Sequence, residues 1–213
     1  MGGRGSSSSS GGGATGGVSM GSVLSTKSLI SERESQQKLV DETMQVFEDV
    51  YNEYGAVVND VQLAVMDKKA AGVLAYYDSN DNIAVNTAYF NKNMETAYER
   101  SVKMGYHPSN GNKTAVQAVV AHELGHKLTQ DVSVKLGKGS WSDLDSVASK
   151  IVSEARAKTN HKSNASLTKK ISGYAKTNSS EAIAEAFADV FCNGNKATSE
   201  SKAIVDVLNN YLK

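Results

Sequence analysis

His122 and His126 stand four residues apart in the stretch His122-Glu123-Leu124-Gly125-His126. Residues four apart on a helix lie one turn apart on the same face. Two imidazoles so placed can aim at one point, and Zn2+ accepts such nitrogen ligands at about 2.0–2.1 Å. Glu123 is rotated off that line, so it can reach a water on the metal without being a ligand. A carboxylate in that position can take the proton of such a water, which is the chemistry of metal-assisted hydrolysis. Paired histidines are also common on ordinary helix surfaces, so the reading needs a third ligand from elsewhere in the chain.

The element that must position these residues is a helix over 114–128. Thr114 can cap it, with Gln117 completing a capping box. Val116, Val120, Leu124 and Leu128 give it an apolar stripe at helical spacing. A second helix is predicted from Asn178 or Ser179 to about Cys192, with Gly194 just past its end. Ile183, Phe187, Val190 and Phe191 form its bulky face. Glu181 and Glu185 lie on another face, interleaved with Ala184 and Ala188. Carboxylates among alanines suggest a helix that approaches its neighbour closely with acids in the contact, and buried carboxylates must be paired or bound to metal. Taken alone, this face also reads as a solvated acidic one. Beside the first motif it offers glutamates to complete a His2Glu set with one position left for water.

Between the tail and the first motif the pattern is mixed. Residues 1–22 are Gly- and Ser-rich and read as a flexible tail, leaving 23–213 as a single domain. A capping box at Ser31 opens a helix that buries Val40, Met44, Phe47, Tyr51 and Tyr54 and ends at Gly55. Residues 61–66, 72–77 and 82–86 read as three strands of a mainly antiparallel sheet, the last two joined by a turn over 78–81. Asn82, Asn86 and Thr87 are consistent with the last strand lying at the sheet edge, either open to pair with an extended peptide or an ordinary covered edge. A helix follows over 89–104. His107 sits in the loop after it and is either a further ligand or a structural histidine. Ser142 caps a helix with Leu144, Val147, Ile151 and Ala155 inward, and the basic run over 159–170 reads as a solvated face or mobile loop.

The 23 basic and 23 acidic residues cancel, which argues against nucleic acid or an acidic membrane as partner. No apolar run reaches the length of a membrane span, and the N-terminus lacks the apolar core of a signal peptide. The single cysteine, Cys192, cannot form an internal disulfide and fits a reducing compartment. A cytoplasmic protein is expected from these features, and secretion by a non-standard route stays open.

H-E-L-G-H at 122–126, followed by Y-A-K-T-N-S-S-E-A-I-A-E-A-F at 174–187, resembles the zinc metallopeptidase domains of the anthrax lethal factor type, a branch of the gluzincins. The chain is also similar to peptidase-like domains at the C-terminal ends of phage head-morphogenesis proteins. In those a G-Y-H-P-like loop before the zinc helix and a short C-terminal helix recur. The likeness covers 55–213 in layout, and its specific part is the two motifs. It implies a zincin-like α+β fold: a small mixed or antiparallel sheet, the zinc helix beneath it and a helical C-terminal half. It implies Zn2+ held by His122, His126 and Glu181, with Glu123 as general base. Glu185 matches the acid that orients a ligand histidine, and Tyr174 the tyrosine that stabilises the oxyanion. Ala182-Ile183 stand where relatives often carry two aromatics. The implied activity is hydrolysis of an extended peptide or protein substrate. The alternative is a non-catalytic zinc-binding module of a phage head, with a capsid partner. The phage likeness adds virion association to the cytoplasm as an expected location.

Overall fold

The computed structural model describes residues 18–20, 34–56, 58, 60–64, 73–78, 80–86, 94–140 and 143–213. The architecture is α+β, and the chain divides into two compact units, Met1–Met94 and Glu95–Lys213. The expectation from sequence was one domain from residue 23. Ser31, Thr87 and Ser142, named above as cap or edge residues, lie outside the described residues, as do the first residues of the helix expected over 89–104.

The first unit holds helix α1 (Glu34–Tyr54) and a four-stranded sheet. Val40, Met44 and Phe47 of α1 are buried, as their helical spacing predicts, while Tyr51 and Tyr54 are half-exposed. Gly55 ends the helix at φ +66°, a left-handed conformation that costs glycine little, and its N–H donates to Tyr51 O. The strands are β1 (Val18–Met20), β2 (Asp60–Ala64), β3 (Ala75–Tyr77) and β4 (Asn82–Asn86). Their order in the sheet is β1-β2-β4-β3.

Two expectations are corrected by this order. Val18–Met20 belong to a strand paired antiparallel with β2, so those three residues are not part of a free tail. β4 is not an edge strand: it pairs parallel with β2 on one side and antiparallel with β3 on the other. The β3–β4 hairpin, turned by Asp78 and by Asp81 at φ +66°, folds back and inserts β4 between its neighbours. Four successive buried residues, Ile83 to Asn86, are what an interior strand covered on both faces requires. Asn86 misled because it is polar. It is buried, with its Nδ2 donating to Val73 O at 2.9 Å and its backbone N–H to Leu74 O. Side-chain polarity at a strand end therefore reports a satisfied buried amide here, not solvent.

The second unit is helical. Helix α2 (Met94–Lys103) leads through a loop to α3 (Ala115–Lys135). α4 (Leu144–Lys158), the short α5 (Asn164–Thr168), a one-turn 3-10 helix (Tyr174–Lys176), α6 (Ser179–Asn193) and α7 (Ser199–Leu212) follow. α3 and α6 form the closest pair, with α4 and α7 packed around them. Leu124, Leu128, Ile151, Ile183, Ile204 and Leu208 make the core, each with 1% or less of its surface exposed. α4 starts at Leu144 with Asp143 at its N-cap position, and α5 occupies part of the run read as a loop, with Lys162, Lys169 and Lys170 exposed as expected.

Candidate metal centre

α3 carries the first half of the site. Thr114 caps it with the predicted capping box: Gln117 N–H donates to Thr114 Oγ1 and Gln117 Oε1 accepts from Thr114 N–H. Glu95 of α2 adds a second cap, its carboxylate accepting from Ala115 N–H at 2.9 Å. A carboxylate there also complements the positive end of the helix dipole. α6 carries the second half and is capped by Asn178, whose Oδ1 accepts from Glu181 N–H at 2.8 Å.

The two helices touch at Gly125. A Cβ on Gly125 would lie 2.8 Å from Ala184 Cα and 3.2 Å from Phe187 Cβ, so a side chain there would force the helices apart. The alanines of α6 and the glycine of the first motif are thus one feature, a close helix contact. That contact carries the polar groups inward: Glu181 and Glu185 are each 1% exposed, which removes the solvated-face reading. Ala182 and Ile183 are fully buried beside them.

Within the contact, His122 Nε2 lies 3.1 Å and His126 Nε2 3.4 Å from the same atom, Glu181 Oε2. One ligand atom from each of the three residues lies within 4.8 Å of the others, and this buried group could hold a metal ion. Two ligands about 2.0–2.1 Å from a tetrahedral ion are roughly 3.3 Å apart, so the separations present fit one. The remaining ring nitrogens are occupied. His122 Nδ1 meets Glu185 Oε1 at 2.9 Å and His126 Nδ1 meets Ser180 Oγ at 3.0 Å. Each Nε2 is thus the ring atom turned toward Glu181, where an ion would be met.

Charge follows geometry. Burial disfavours the His122 imidazolium, but hydrogen bonds to Glu181 and Glu185 outweigh it and push its pKa up to about 10. Burial likewise raises Glu181 and Glu185, yet their histidine partners hold both carboxyls well below the ordinary range. Glu123 behaves differently. It is 1% exposed, its Oε1 has no hydrogen-bond partner among the described residues, and burial raises its pKa against the opposing pull of His122 and His126. A buried carboxylate oxygen without a donor is costly and marks a place prepared for one.

Tyr174 stacks on His122 with ring centroids 5.8 Å apart. Burial, then Glu181 and Glu123, raise its phenol, so it stays a donor. His107 does not join the metal group. It is buried and its Nδ1 contacts Glu185 at 3.1 and 3.3 Å. Sequence reasoning missed Ser180 and Ser172, the latter donating to Glu185 Oε2 at 2.6 Å. For Ser180 there was a signal: Asn178-Ser179-Ser180 offers three capping side chains where one suffices.

No family model, curated protein or solved structure matches this chain. Among the described residues no helix is long and apolar enough to cross a membrane.

Proposed function

We propose that this chain is a zinc-dependent endopeptidase of the gluzincin type, with a zincin-like second unit. The observation that carries the reading is the convergence of His122 Nε2, His126 Nε2 and Glu181 Oε2, with the buried Oε1 of the adjacent Glu123 lacking a hydrogen-bond partner among the described residues. Two nitrogens and one carboxylate oxygen, with no thiolate, are the donor set that catalytic zinc favours. When bound, such an ion supplies Lewis acidity toward a carbonyl oxygen and lowers the pKa of a water.

The protein's own groups then have defined tasks. Glu123 Oε1 accepts a proton from the attacking water and returns it to the leaving amine; its raised pKa suits both halves of that transfer. Tyr174, kept protonated, donates its phenol hydrogen to the oxyanion. Glu185 and Ser180 hold the two imidazoles in the tautomer that leaves Nε2 free. The substrate class is an extended peptide or protein. β4 is not available to receive it by strand addition, because both its sides are already paired.

The test is Glu123→Gln. It should retain one equivalent of zinc and lose at least about 10²–10⁴-fold in cleavage of a peptide library, the range expected for a missing general base. Zinc-loaded wild-type protein that cleaves nothing in the library would favour a non-catalytic zinc-binding module, of the kind that could serve a phage head.

A further inference from the structure

Three donors converge on Glu185. His122 Nδ1 and His107 Nδ1 lie 2.9 and 3.1 Å from Oε1, and Ser172 Oγ lies 2.6 Å from Oε2. The first is a member of the metal group; the other two are not. His107 comes from the loop before α3, 78 residues away from Glu185 in the chain.

That loop is fixed from several sides. Gly173 N–H donates to Gly105 O at 2.7 Å and Tyr174 N–H to Tyr106 O at 2.9 Å, so the loop is pinned to the segment carrying Ser172 and Tyr174. Gly173 is needed for this approach: a Cβ there would sit 3.1 Å from Gly105 O and 3.2 Å from Tyr106 Cα. The His107 ring stacks on Tyr98 at 5.6 Å and meets Tyr106 and Tyr174 edge-on at 5.0 and 5.5 Å. Tyr98 is itself tied back to the loop, its hydroxyl donating to Pro108 O. Ser172 is fixed in turn, its Oγ accepting from Ala175 N–H at 2.9 Å.

The two ligand histidines are therefore held differently. His126 leans on one neutral hydroxyl, Ser180. His122 leans on a carboxylate that is itself clamped from two other directions. A buried carboxylate with a single partner could swing about its χ angles; with three donors on two oxygens it cannot turn without breaking one of them.

We propose that His107 is a positioning residue for the metal centre, acting with Ser172 to lock Glu185 so that His122 presents Nε2 to the ion. This rests on the metal reading given above. His107 touches neither the ion nor the substrate; it sets the affinity of the first ligand histidine through the acid between them.

The experiment measures zinc affinity by chelator competition and the visible spectrum of the Co2+-substituted protein, for wild type, His107→Ala, His107→Asn and Ser172→Ala. Asparagine is the informative replacement, because its Nδ2 can stand near the position of imidazole Nδ1. His107→Ala is expected to bind zinc about 10–100-fold more weakly, the usual range for losing an outer partner, with an altered Co2+ spectrum and unchanged far-UV circular dichroism. His107→Asn should recover most of the affinity and the wild-type spectrum, and Ser172→Ala should weaken binding in the same direction by less. Wild-type affinity and spectrum in His107→Ala, while wild type itself binds zinc, would overturn this inference alone. An asparagine variant no better than alanine would also overturn it, because the histidine would then matter only as packing. If His107→Ala does not fold, His107→Asn and Ser172→Ala decide by the same criteria. Failure of wild type to bind zinc or Co2+ would overturn the metal reading and this inference together.

Discussion

His122 meets Glu185 at 2.9 Å, and His161 meets Glu200 at 2.9 Å. The first pair sits between α3 and α6 with side-chain exposures of 6% and 2%; the second ties the turn after α4 to the start of α7 with exposures of 17% and 15%. The outer pair is a simple clasp: one ring nitrogen, one carboxylate, and Ser199 Oγ at the other oxygen. In the inner pair each member answers to more than one partner. His122 has an acid at each nitrogen, Glu185 has three donors, and Glu181 turns one oxygen toward two rings. Contact length does not separate a surface clasp from a candidate metal centre. Convergence and burial do, because a buried charge must have every remaining lone pair answered.

The sharpest way to break this comparison is to remove one acid from each pair. Glu185→Ala leaves two buried imidazoles without their shared acceptor, and loss of one partner from a buried ionic group typically costs about 3–5 kcal/mol. Denaturant unfolding of the metal-free protein measures it. A loss below about 1 kcal/mol would place Glu185 in the same class as Glu200. The cluster also predicts a pH signature in the metal-free chain. His122 is raised from its ordinary 6.5 to about 10, so its contribution is full below pH 6.5 and disappears as pH climbs through 10. Glu181 and Glu185 are lowered from 4.5, so theirs is full above that value and disappears as the solution is acidified. These three contributions, read in the unfolding midpoint, are together full between about pH 5 and 6.5 and fall on both sides, while Glu123, raised from 4.5 by burial, adds a further loss of stability as pH climbs from that value. A midpoint that rises steadily from pH 6.5 to 10 would contradict the assignment.

Next in size is Gly125→Ala. The added methyl meets Ala184 backbone, and overpacking of this kind costs about 1–3 kcal/mol, visible as a lower Tm with α3 and α6 forced apart. Neutral or stabilising behaviour would mean that the helices have room the geometry denies. Glu200→Ala, the outer counterpart, should cost less than about 1 kcal/mol, as partly exposed ion pairs do. The smallest effect belongs to Cys192. Burial, with Asp189 adding to it and Lys113 opposing, pushes its thiol up to about 12. Alkylation at pH 8 should be slow in the native protein and fast in denaturant. Equal rates would show that α6 frays around it.

What could be read from the sequence was what local chemistry encodes. The caps at Thr114 and Asn178, the stop at Gly55 and the buried stripe of α3 each depend on neighbours within four residues, and each is where it was expected. The meeting of His122, His126 and Glu181 was expected only by joining two distant motifs, and the coordinates do bring those three together. What escaped depends on long-range pairing. Nothing near His107 announces that its partner is Glu185, and a loop histidine reads the same whether it is solvated or clamped. β4 read as an edge because Asn82, Asn86 and Thr87 are polar, while the long-range parallel β2–β4 pairing places it inside the sheet and displaces β3 outward. Ser172 was invisible because serine is common and its partner lies 13 residues away; the surplus of capping side chains at 178–180 hinted at Ser180, but not at a partner 54 residues away.

The central claim is that two imidazoles of α3 and one carboxylate of α6 grip a single divalent ion. The most direct measurement is the zinc content of protein incubated with zinc and then freed of excess by gel filtration, for wild type, Glu181→Ala and Glu200→Ala. The account predicts one equivalent in wild type and in Glu200→Ala, and close to none in Glu181→Ala. No zinc in wild type, or a full equivalent retained by Glu181→Ala, would contradict it.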